Sequence, residues 1–344
     1  MGMNVELYNN DGSDWDAFVA SIPHGANYHR YRWRDVIEKS FGHRAYYLVA
    51  RDGNGEICGV LPLAHMKSVM FGSFLVSLPY FNYGGLLCMD ANAERALLAK
   101  AQSLLRKVSA GHMELRHVHD CSNDLMTRQH KVTMILPLGK SEEAQWKALD
   151  AKVRNQVRKA ERSGLNAVEG RLELLDGFYE VFCRNMRDLG TPVYGRNFFR
   201  NILEMFPEST CIISVMLGEK TVASGILAWY GDTLEVPWAS SIRDYREMCP
   251  NNLLYWRAIC YAIGNGSAKF DFGRSTPGEG TYHFKKQWGA EPVQLYWQYM
   301  LGNGGSIPEL NPGNPKYRLA VRVWQRLPLA LTNALGPRIV KNIP

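Results

Sequence analysis

The fold is decided by two stretches of sequence that resemble each other, YYLVARDGNGEICGVLPLA at residues 46–64 and CIISVMLGEKTVASGILAWY at residues 211–230. Each stretch contains an apolar run, a short turn with glycine and a second apolar run, which is the pattern of a β-hairpin. The second apolar run of each stretch contains a glycine at an equivalent position, Gly59 in the first and Gly225 in the second. The sequence therefore indicates an internal duplication with one hairpin in each copy.

The residues after each hairpin follow the same order of a β-rich segment, a helical stretch and a strand. In the first copy these lie at residues 74–87, 91–109 and 113–118, and in the second at residues 232–240, 252–264 and 269–273. This order predicts a mixed α/β (α+β) fold that is built twice. We place a first domain at residues 1–140, a second at 141–305 and a basic, amphipathic, helical C-terminal tail at 306–344.

Composition and cysteine use narrow the class of protein. A chain of 344 residues with 46% hydrophobic residues can bury a sizeable core, which excludes a disordered, fibrous or disulfide-stapled miniature protein. The seven cysteines include no C-x-x-C pair, so we expect a reducing, cytoplasmic compartment. The N-terminus is polar and acidic, and the longest apolar stretch, residues 69–81, is short and interrupted, so we expect neither a signal peptide nor a transmembrane helix.

Basic residues are concentrated in two blocks of a chain whose net charge is +7. Residues 316–344 hold six basic residues and no acidic ones, and residues 147–162 hold six basic residues against two acidic ones. In the second block, Val153, Val157 and Ala160 fall on one side of a predicted helix. The two blocks indicate a phosphate-bearing partner, such as nucleic acid, nucleotide or an anionic membrane, or else solvated helix faces.

Three segments carry a resemblance to a known family: KVRNQVRKAERSGL at residues 152–165, GTPVYGRNFF at residues 190–199 and FDFGRSTPGEGTYHFKKQWGA at residues 270–290. In this order they resemble the FemAB/FemX superfamily over nearly the whole chain, and the tail at residues 324–344 is similar to the subgroup associated with PEP-CTERM/exosortase loci. The resemblance implies two tandem acetyltransferase-like (GNAT) domains. Known members transfer amino acids from aminoacyl-tRNA onto peptidoglycan precursors, so the resemblance also implies an acyltransferase.

The segment in which CoA-dependent GNAT enzymes carry an R-x-x-G-x-G/A loop is different in this chain. Residues 240–256, SSIRDYREMCPNNLLYW, contain no G-x-G, and in the first copy Gly84 and Gly85 precede a strand. This difference argues against CoA as the donor. A helix with Asn251 or Asn252 as its N-cap can still hold a phosphate through backbone N–H groups.

The resemblance implies the residues of the donor site as well. In the family, the lysine that follows phenylalanine at this position approaches the donor ester carbonyl, which makes Lys285 the candidate for stabilising a tetrahedral oxyanion. The alternative is that Lys285 and Lys286 are exposed helix lysines. Asp271 is a candidate general base, or else a structural carboxylate that caps a helix or pairs with Arg274. The donor-binding candidates are Arg274, Lys286, Phe284 and Asn252.

The basic helix is the predicted acceptor site. Arg154 and Arg158 lie one helical turn apart, and two guanidinium groups in that arrangement can hold a diphosphate. The resemblance places the diphosphate of a nucleotide-sugar acceptor near this helix, so Lys152, Arg154 and Arg158 are the candidates. The competing interpretation is that the helix binds tRNA phosphates. Tyr194 and Trp238 either line the acceptor pocket or pack in the core.

No metal site and no cofactor are predicted. Alternation along a strand puts His117 and His119 on one face. Zinc requires three or four converging ligands, however, and the sequence offers only this local pair.

The sequence therefore predicts an acyltransferase that forms an amide bond. The expected donor is aminoacyl-tRNA, and the expected acceptor is an amine on a nucleotide-linked or lipid-linked sugar of a cell-envelope, peptidoglycan or exopolysaccharide precursor. Two alternatives stay open: an N-acyltransferase that uses acyl-carrier protein or acyl-CoA, and a non-catalytic module that binds tRNA or polysaccharide. The tail either lies on an anionic membrane at its inner face or packs on the second domain.

Overall fold

The computed structural model describes residues 3–68, 72–121, 125–302 and 315–343. The chain divides into two compact units, the first formed by residues 1–132, 294–310 and 341–344 and the second by residues 133–293 and 311–340. The first unit thus ends before the predicted boundary at residue 140, and the stretch after residue 293 returns to it. The predicted boundary between residues 305 and 306 lies outside the described residues.

The first unit contains a hairpin, a strand, a long helix and a further strand, as predicted for the first copy. Its elements are β1 (Asn4–Leu7), α1 (Ser13–Ser21), α2 (Trp33–Phe41), β2 (Arg44–Arg51), β3 (Ile57–Ser68), β4 (Gly72–Val76), β5 (Leu87–Cys88), α3 (Ala91–Lys107), β6 (His112–His117) and β7 (Met126–Arg128). Helix α3 starts where it does because the Asp90 carboxylate accepts hydrogen bonds from the backbone N–H groups of Asn92 and Ala93, at 2.7 and 2.9 Å.

The second unit opens with a strand, continues with the basic helical segment and then repeats the order of the first copy. Its elements are β8 (Val132–Pro137), α4 (Glu142–Ala148), α5 (Ala151–Arg162), β9 (Leu165–Gly170), α6 (Leu175–Leu189), α7 (Arg196–Met205), β10 (Thr210–Leu217), β11 (Lys220–Tyr230), β12 (Thr233–Ser241), α8 (Pro250–Gly264), β13 (Lys269–Ser275), α9 (Gly280–Lys286) and β14 (Glu291–Gln294). The remaining elements are β15 (Tyr296–Leu301), α10 (Pro315–Arg326) and α11 (Leu329–Val340).

The two sheets share one strand topology. The order is β1-β2-β3-β4-β6-β15-β7 in the first sheet, with β5 paired to β3, and β14-β8-β13-β12-β11-β10-β9 in the second. In both copies two antiparallel pairings lead to a parallel pair, β4 with β6 and β12 with β13. The predicted duplication of a mixed α/β layer is therefore confirmed.

Each sheet buries the apolar side of a helix. In the first unit α3 contributes five side chains at helical spacing to a core shared with β2 and β3: Ala93, Leu97, Ala101, Leu104 and Leu105. Full burial of one leucine stabilises such a core by about 1.5–3 kcal/mol. In the second unit α8 packs in the same way against β10, β11 and β12.

The C-terminal tail packs on the second unit, which is one of its two predicted locations. Helix α11 approaches closely at Gly336, where a Cβ would lie 2.8 Å from the backbone nitrogen of Val193. In α10 the Gln325 side chain donates a hydrogen bond to the carbonyl of Asp188 at 2.9 Å. Within the described ranges, no helix is both long and apolar enough to cross a bilayer.

Candidate functional site

A notch opens in the second sheet where two parallel strands separate. Strands β12 and β13 pair at three positions, and the last pair is Glu235 with Asp271. Both strands continue beyond that pair, β12 to Ser241 and β13 to Ser275, and β12 stays paired with β11 on its other side. We define the notch as the opening between residues 236–241 and 272–275. Its facing strand edges carry backbone groups that do not pair with each other.

The sequence FDFGRS folds into a kink beside the notch. Gly273 has φ of 76°, in the left-handed region that a side chain disfavours. The Asp271 carboxylate accepts hydrogen bonds from the Gly273 N–H at 2.7 Å and from the Thr133 hydroxyl at 2.5 Å. Asp271 lies within β13 and is 1% exposed, so the predicted role as a helix cap is wrong. Its carboxylate holds the kink.

Lys285 is anchored by this kink. Its Nζ donates hydrogen bonds to the carbonyls of Gly273 and Arg274, both at 2.9 Å, and 7% of the residue is exposed. The interpretation as an exposed helix lysine is therefore wrong for Lys285, although it describes Lys286. An ammonium group has three N–H donors, so one remains beyond the two hydrogen bonds described here.

Burial and acidic neighbours act on the protonation of Lys285 in opposite directions. Removal from water lowers the pKa of Lys285 from 10.5 to about 8, and the charges of Asp271 and Glu235 partly oppose that shift. Glu235 is itself buried. Because pH 7 lies below this pKa, the ammonium is still the main form there. The site therefore presents a buried positive charge at the kink.

The corresponding position in the first sheet is closed. After β4, the Ser77 N–H donates to the carbonyl of Glu114 at 2.9 Å, and the Gly84 N–H donates to the carbonyl of Arg116 at 3.2 Å. The Arg116 guanidinium binds the Glu114 carboxylate and the carbonyl of Phe81, both at 2.6 Å. In the first copy, a buried ion pair and backbone hydrogen bonds therefore close the gap between the strands that stays open in the second copy.

Helix α8 packs on β12 and β13 and begins without a side-chain cap. Its N-cap is Cys249, and Pro250 occupies the first helical position. The prediction of Asn251 or Asn252 as N-cap is therefore wrong. The Asn252 side chain lies in the first turn and donates to Gln156 of α5 at 3.2 Å. The backbone N–H groups and the dipole at this helix end still favour an anion.

Comparison with protein families gives a match within the unit that carries the notch. Residues 149–286, which run from just before α5 to the end of α9, match the family described as Acetyltransferase (GNAT) domain. The match confirms the predicted enzyme class, an acyltransferase. No curated protein matches the sequence.

Solved structures share the fold over most of the chain. FemX superposes with a TM-score of 0.67 at 16% identity, over 92% of this chain and 100% of its own. A tandem GNAT protein from the clavulanic acid biosynthesis pathway superposes with a TM-score of 0.57 at 14% identity, over 89% of this chain and all of its own. The chain therefore shares the tandem GNAT fold with these structures. L-PGS from Bacillus licheniformis superposes with a TM-score of 0.55 at 10% identity, over 92% of this chain and 98% of its own.

The other predicted donor-site residues differ in how far they are exposed. The Phe284 ring is half-buried and lies 5.4 Å from the ring of Tyr255 and 6.3 Å from that of Trp288, centroid to centroid, so it packs α9 onto the domain. Arg274 and Lys286 are exposed, and both flank the Lys285 anchor. Their role in binding donor phosphate stays a prediction.

The basic helix α5 presents a smaller acceptor surface than the sequence predicts. Its apolar side is buried as expected. Arg154 turns back to α4 and donates to three carbonyls at the end of that helix, the shortest at 2.6 Å to Leu149. Arg158 and Lys152 are exposed, and the Arg158 guanidinium lies over the Trp146 ring at 5.4 Å. Arg154 therefore caps α4, and Arg158 and Lys152 remain as predicted acceptor contacts.

The two candidate aromatic residues belong to a ring cluster. Trp238 is 8% exposed and meets Phe198 and Phe199 edge to face, at centroid distances of 5.5 and 5.3 Å. Tyr194 is half-buried and stacks on Phe182 at 6.3 Å. Core packing therefore describes Trp238. An acceptor contact by Tyr194 stays a prediction.

Two residues that support Lys285 were not found from the sequence. Thr133 binds Asp271 from a strand that is 138 positions earlier in the chain, and nothing in its local sequence marks it. Glu235 did offer a signal, because it is a single carboxylate within the apolar strand sequence LEVPW. A buried acid in such a strand usually has a charged or hydrogen-bonding partner.

A second cluster lies in the first unit. Strand β6 ends at His117, so the predicted alternation that puts His119 on the same strand face does not apply. The chain after the strand nevertheless brings His117, His119 and Cys121 together, with one ligand atom of each within 4.8 Å of the others. Burial lowers the pKa of His117 to about 3 and raises that of Cys121 to about 12.

Proposed function

We propose that the protein transfers an aminoacyl group from aminoacyl-tRNA to an amine of a cell-envelope precursor and so forms an amide bond. One observation carries the proposal: an open notch beside a buried ammonium that two backbone carbonyls hold in place. The GNAT family match supports acyl transfer as the reaction class. The three sequence segments that resemble the FemAB/FemX superfamily support the aminoacyl donor and the envelope acceptor.

The proposed reaction joins the acceptor nitrogen to the carbonyl carbon of the donor ester. The amine lone pair attacks that carbon, and the C=O electrons move onto the oxygen to give a tetrahedral oxyanion. The oxyanion then collapses, the ester C–O bond breaks, and the ribose hydroxyl leaves with the proton that the amine loses. The remaining N–H of Lys285 donates to the oxyanion. A well-placed donor of this kind stabilises the transition state by roughly 3–4 kcal/mol.

Asp271 acts in this scheme as a positioning residue. Its carboxylate accepts hydrogen bonds from Gly273 and Thr133, which fixes the kink whose carbonyls hold Lys285. A general base must reach the proton that it removes. Because Asp271 is 1% exposed and already accepts two hydrogen bonds, we assign it to holding Lys285 rather than to removing the amine proton.

An acyl thioester is the second candidate donor. The strand edges of the notch suit an extended chain with amide groups, such as the pantetheine arm of CoA or of acyl-carrier protein, because such a chain can hydrogen-bond to a strand edge. The tandem GNAT structure from the clavulanic acid pathway is described as being without AcCoA, which relates that protein to a thioester. The uncapped start of α8 suits a phosphate of either donor.

Transfer assays with both donor classes separate these candidates. The purified protein is incubated with a pool of radiolabelled aminoacyl-tRNA, or with labelled acyl-CoA or acyl-carrier protein, together with amine-containing envelope precursors. Alkali then removes unreacted ester, and the stable amide is counted. We expect product from aminoacyl-tRNA, its loss in Lys285→Met and its retention in Lys140→Met, which changes an exposed lysine outside the predicted site. Product from thioesters alone establishes the second candidate, and absence of product from every donor supports a non-catalytic binding module.

The tail is the proposed contact with a membrane. Helix α10 carries Arg318, Arg322 and Arg326 together with Leu319 and Val323, which are 63% and 53% exposed. Basic and apolar side chains on one exposed helix suit the surface of an anionic bilayer, where a lipid-linked acceptor resides. We expect the protein to sediment with anionic vesicles and the double variant Leu319→Ser/Val323→Ser to sediment less. Equal sedimentation of the two proteins contradicts this contact.

A further inference from the structure

We infer that His117, His119 and Cys121 form a site for a zinc-type transition-metal ion in the first unit. This inference is independent of the proposed acyl transfer, because the three residues lie in the other unit of the chain from the notch. Two imidazoles and one thiolate are a ligand set that zinc accepts. The notch chemistry uses none of them.

The distances within the cluster suit a shared ion. One ligand atom of each residue lies within 4.8 Å of the other two, and the Cys121 sulfur lies 3.5 Å from Nε2 of His119. Ligand bonds of about 2.0–2.1 Å to nitrogen and 2.3 Å to sulfur in a tetrahedron imply an S···N separation of about 3.6 Å. The sulfur and the His119 nitrogen therefore already have the spacing of two ligands of one ion. The His117 nitrogen lies within 4.8 Å of both, so it needs to move closer by at most about 1.5 Å.

The ring nitrogens of His117 support its assignment as a metal ligand. The residue is 3% exposed, and within the described part of the chain neither ring nitrogen has a hydrogen-bond partner. The Nδ1 of His119 is likewise buried without one. A buried histidine nearby behaves in the ordinary way, since Nδ1 of His29 accepts a hydrogen bond from the Ala26 N–H at 3.2 Å. An unsatisfied buried polar group is costly, and a bound ion is one of the few explanations for it.

A cavity gives an ion access to the cluster. Its volume is about 580 Å³, and His119 and Cys121 line it together with Glu94, His24 and Cys88. Three protein ligands and an open side are the arrangement in which zinc keeps one position for water or another ligand. The Glu94 carboxylate acts electrostatically on both His119 and Cys121, which favours a cation beside them. The inferred site therefore holds the ion by three side chains and leaves its fourth position toward the cavity.

Cobalt is the probe for this site because a tetrahedral Co²⁺–thiolate centre has a charge-transfer absorption that Zn²⁺ lacks. Full-length protein is stripped with a chelator and titrated with Co²⁺, and Zn²⁺ is then added to displace the cobalt. We expect one equivalent of Co²⁺ to produce the thiolate band and Zn²⁺ to abolish it. Absence of the band at saturating Co²⁺ overturns the inference.

Three variants assign the ligands. Cys121→Ser should lose the thiolate band, and His119→Gln should weaken Co²⁺ binding by at least about 10- to 100-fold, the loss that even indirect ligand support causes. Cys88→Ser is the matched control, because Cys88 lines the same cavity outside the cluster, and this variant should keep the band. A band of unchanged strength in Cys121→Ser overturns the inference.

A second measurement uses wild-type protein, so it tests the inference even if a variant does not fold. Wild-type protein is alkylated with and without Zn²⁺, and the modified cysteines are identified by peptide mass spectrometry. We expect Zn²⁺ to slow alkylation of Cys121 and to leave that of Cys88 unchanged. Equal alkylation of Cys121 with and without the ion contradicts a zinc–thiolate bond.

Discussion

Replacement of Lys285 by methionine separates the catalytic role of the buried ammonium from its role in stability. The variant leaves the carbonyls of Gly273 and Arg274 without their donor, at a cost of about 1–3 kcal/mol for each group that becomes unsatisfied. It also removes a charge whose burial is unfavourable. The fall of the Lys285 pKa from 10.5 to about 8 corresponds to about 3 kcal/mol at 1.36 kcal/mol per unit. These contributions oppose each other, so we expect the free energy of unfolding to change by no more than about 3 kcal/mol.

The effect of the same variant on transfer should be large. Loss of one oxyanion donor slows comparable reactions by about 10²- to 10³-fold, so we expect that decrease in the single-turnover rate constant of Lys285→Met. Urea unfolding, followed by circular dichroism, gives the stability of the same preparation. Lys140→Met is the matched control, because it makes the same change at an exposed lysine of the same unit that has no predicted role in the site. Transfer by Lys285→Met within twofold of the wild type, or an equal loss in Lys140→Met, refutes the assignment of the oxyanion donor to Lys285.

Three further predictions concern pH, the kink and the acceptor. Lys285 loses its proton as pH rises through about 8, so the transfer rate should fall there. Because arginine stays charged, Lys285→Arg should remove that fall from the pH profile. A fall that persists in the arginine variant belongs to another group. Gly273→Ala should lower the free energy of unfolding by about 1–2 kcal/mol in urea and should also slow transfer. Gly231 has a similar positive φ with open space around it, so Gly231→Ala should lower the free energy of unfolding without slowing transfer. Arg158→Ala should raise the KM for the acceptor. Arg154→Ala should lower the free energy of unfolding by about 1–3 kcal/mol, because it removes the cap of α4. A reversal of the two results contradicts these roles.

The duplicated part of the fold was predictable because its signals are local. The hairpins β2–β3 and β10–β11 follow from apolar runs on either side of glycine-containing turns, and α3 and α8 follow from apolar residues at helical spacing. The placement of β15 was not predictable. This strand pairs with β6, which is about 180 residues earlier, and its own sequence does not specify to which of two sheets it belongs.

The motif residues of the candidate site were predictable from the sequence, whereas the contacts that those residues make were not. The FDFGRS and FKK segments marked Asp271 and Lys285, whereas the kink that joins them depends on the left-handed backbone of Gly273 and on Thr133 from a distant strand. Arg154 shows the same limit. Its helical position matched that of Arg158, yet the end of α4 offers unpaired carbonyls to only one of the two. Such choices depend on tertiary neighbours that periodicity does not contain.

Donor binding across a salt series tests the aminoacyl-tRNA proposal most directly. The purified protein is titrated with a charged-tRNA pool, with short-chain and long-chain acyl-CoA and with acyl-carrier protein at several salt concentrations. We expect preferential binding of charged tRNA, with an affinity that falls steeply as salt rises because phosphate contacts release counterions. Tight binding of an acyl thioester with little salt dependence, and no preference for tRNA, contradicts the proposal and assigns the notch to an N-acyltransferase.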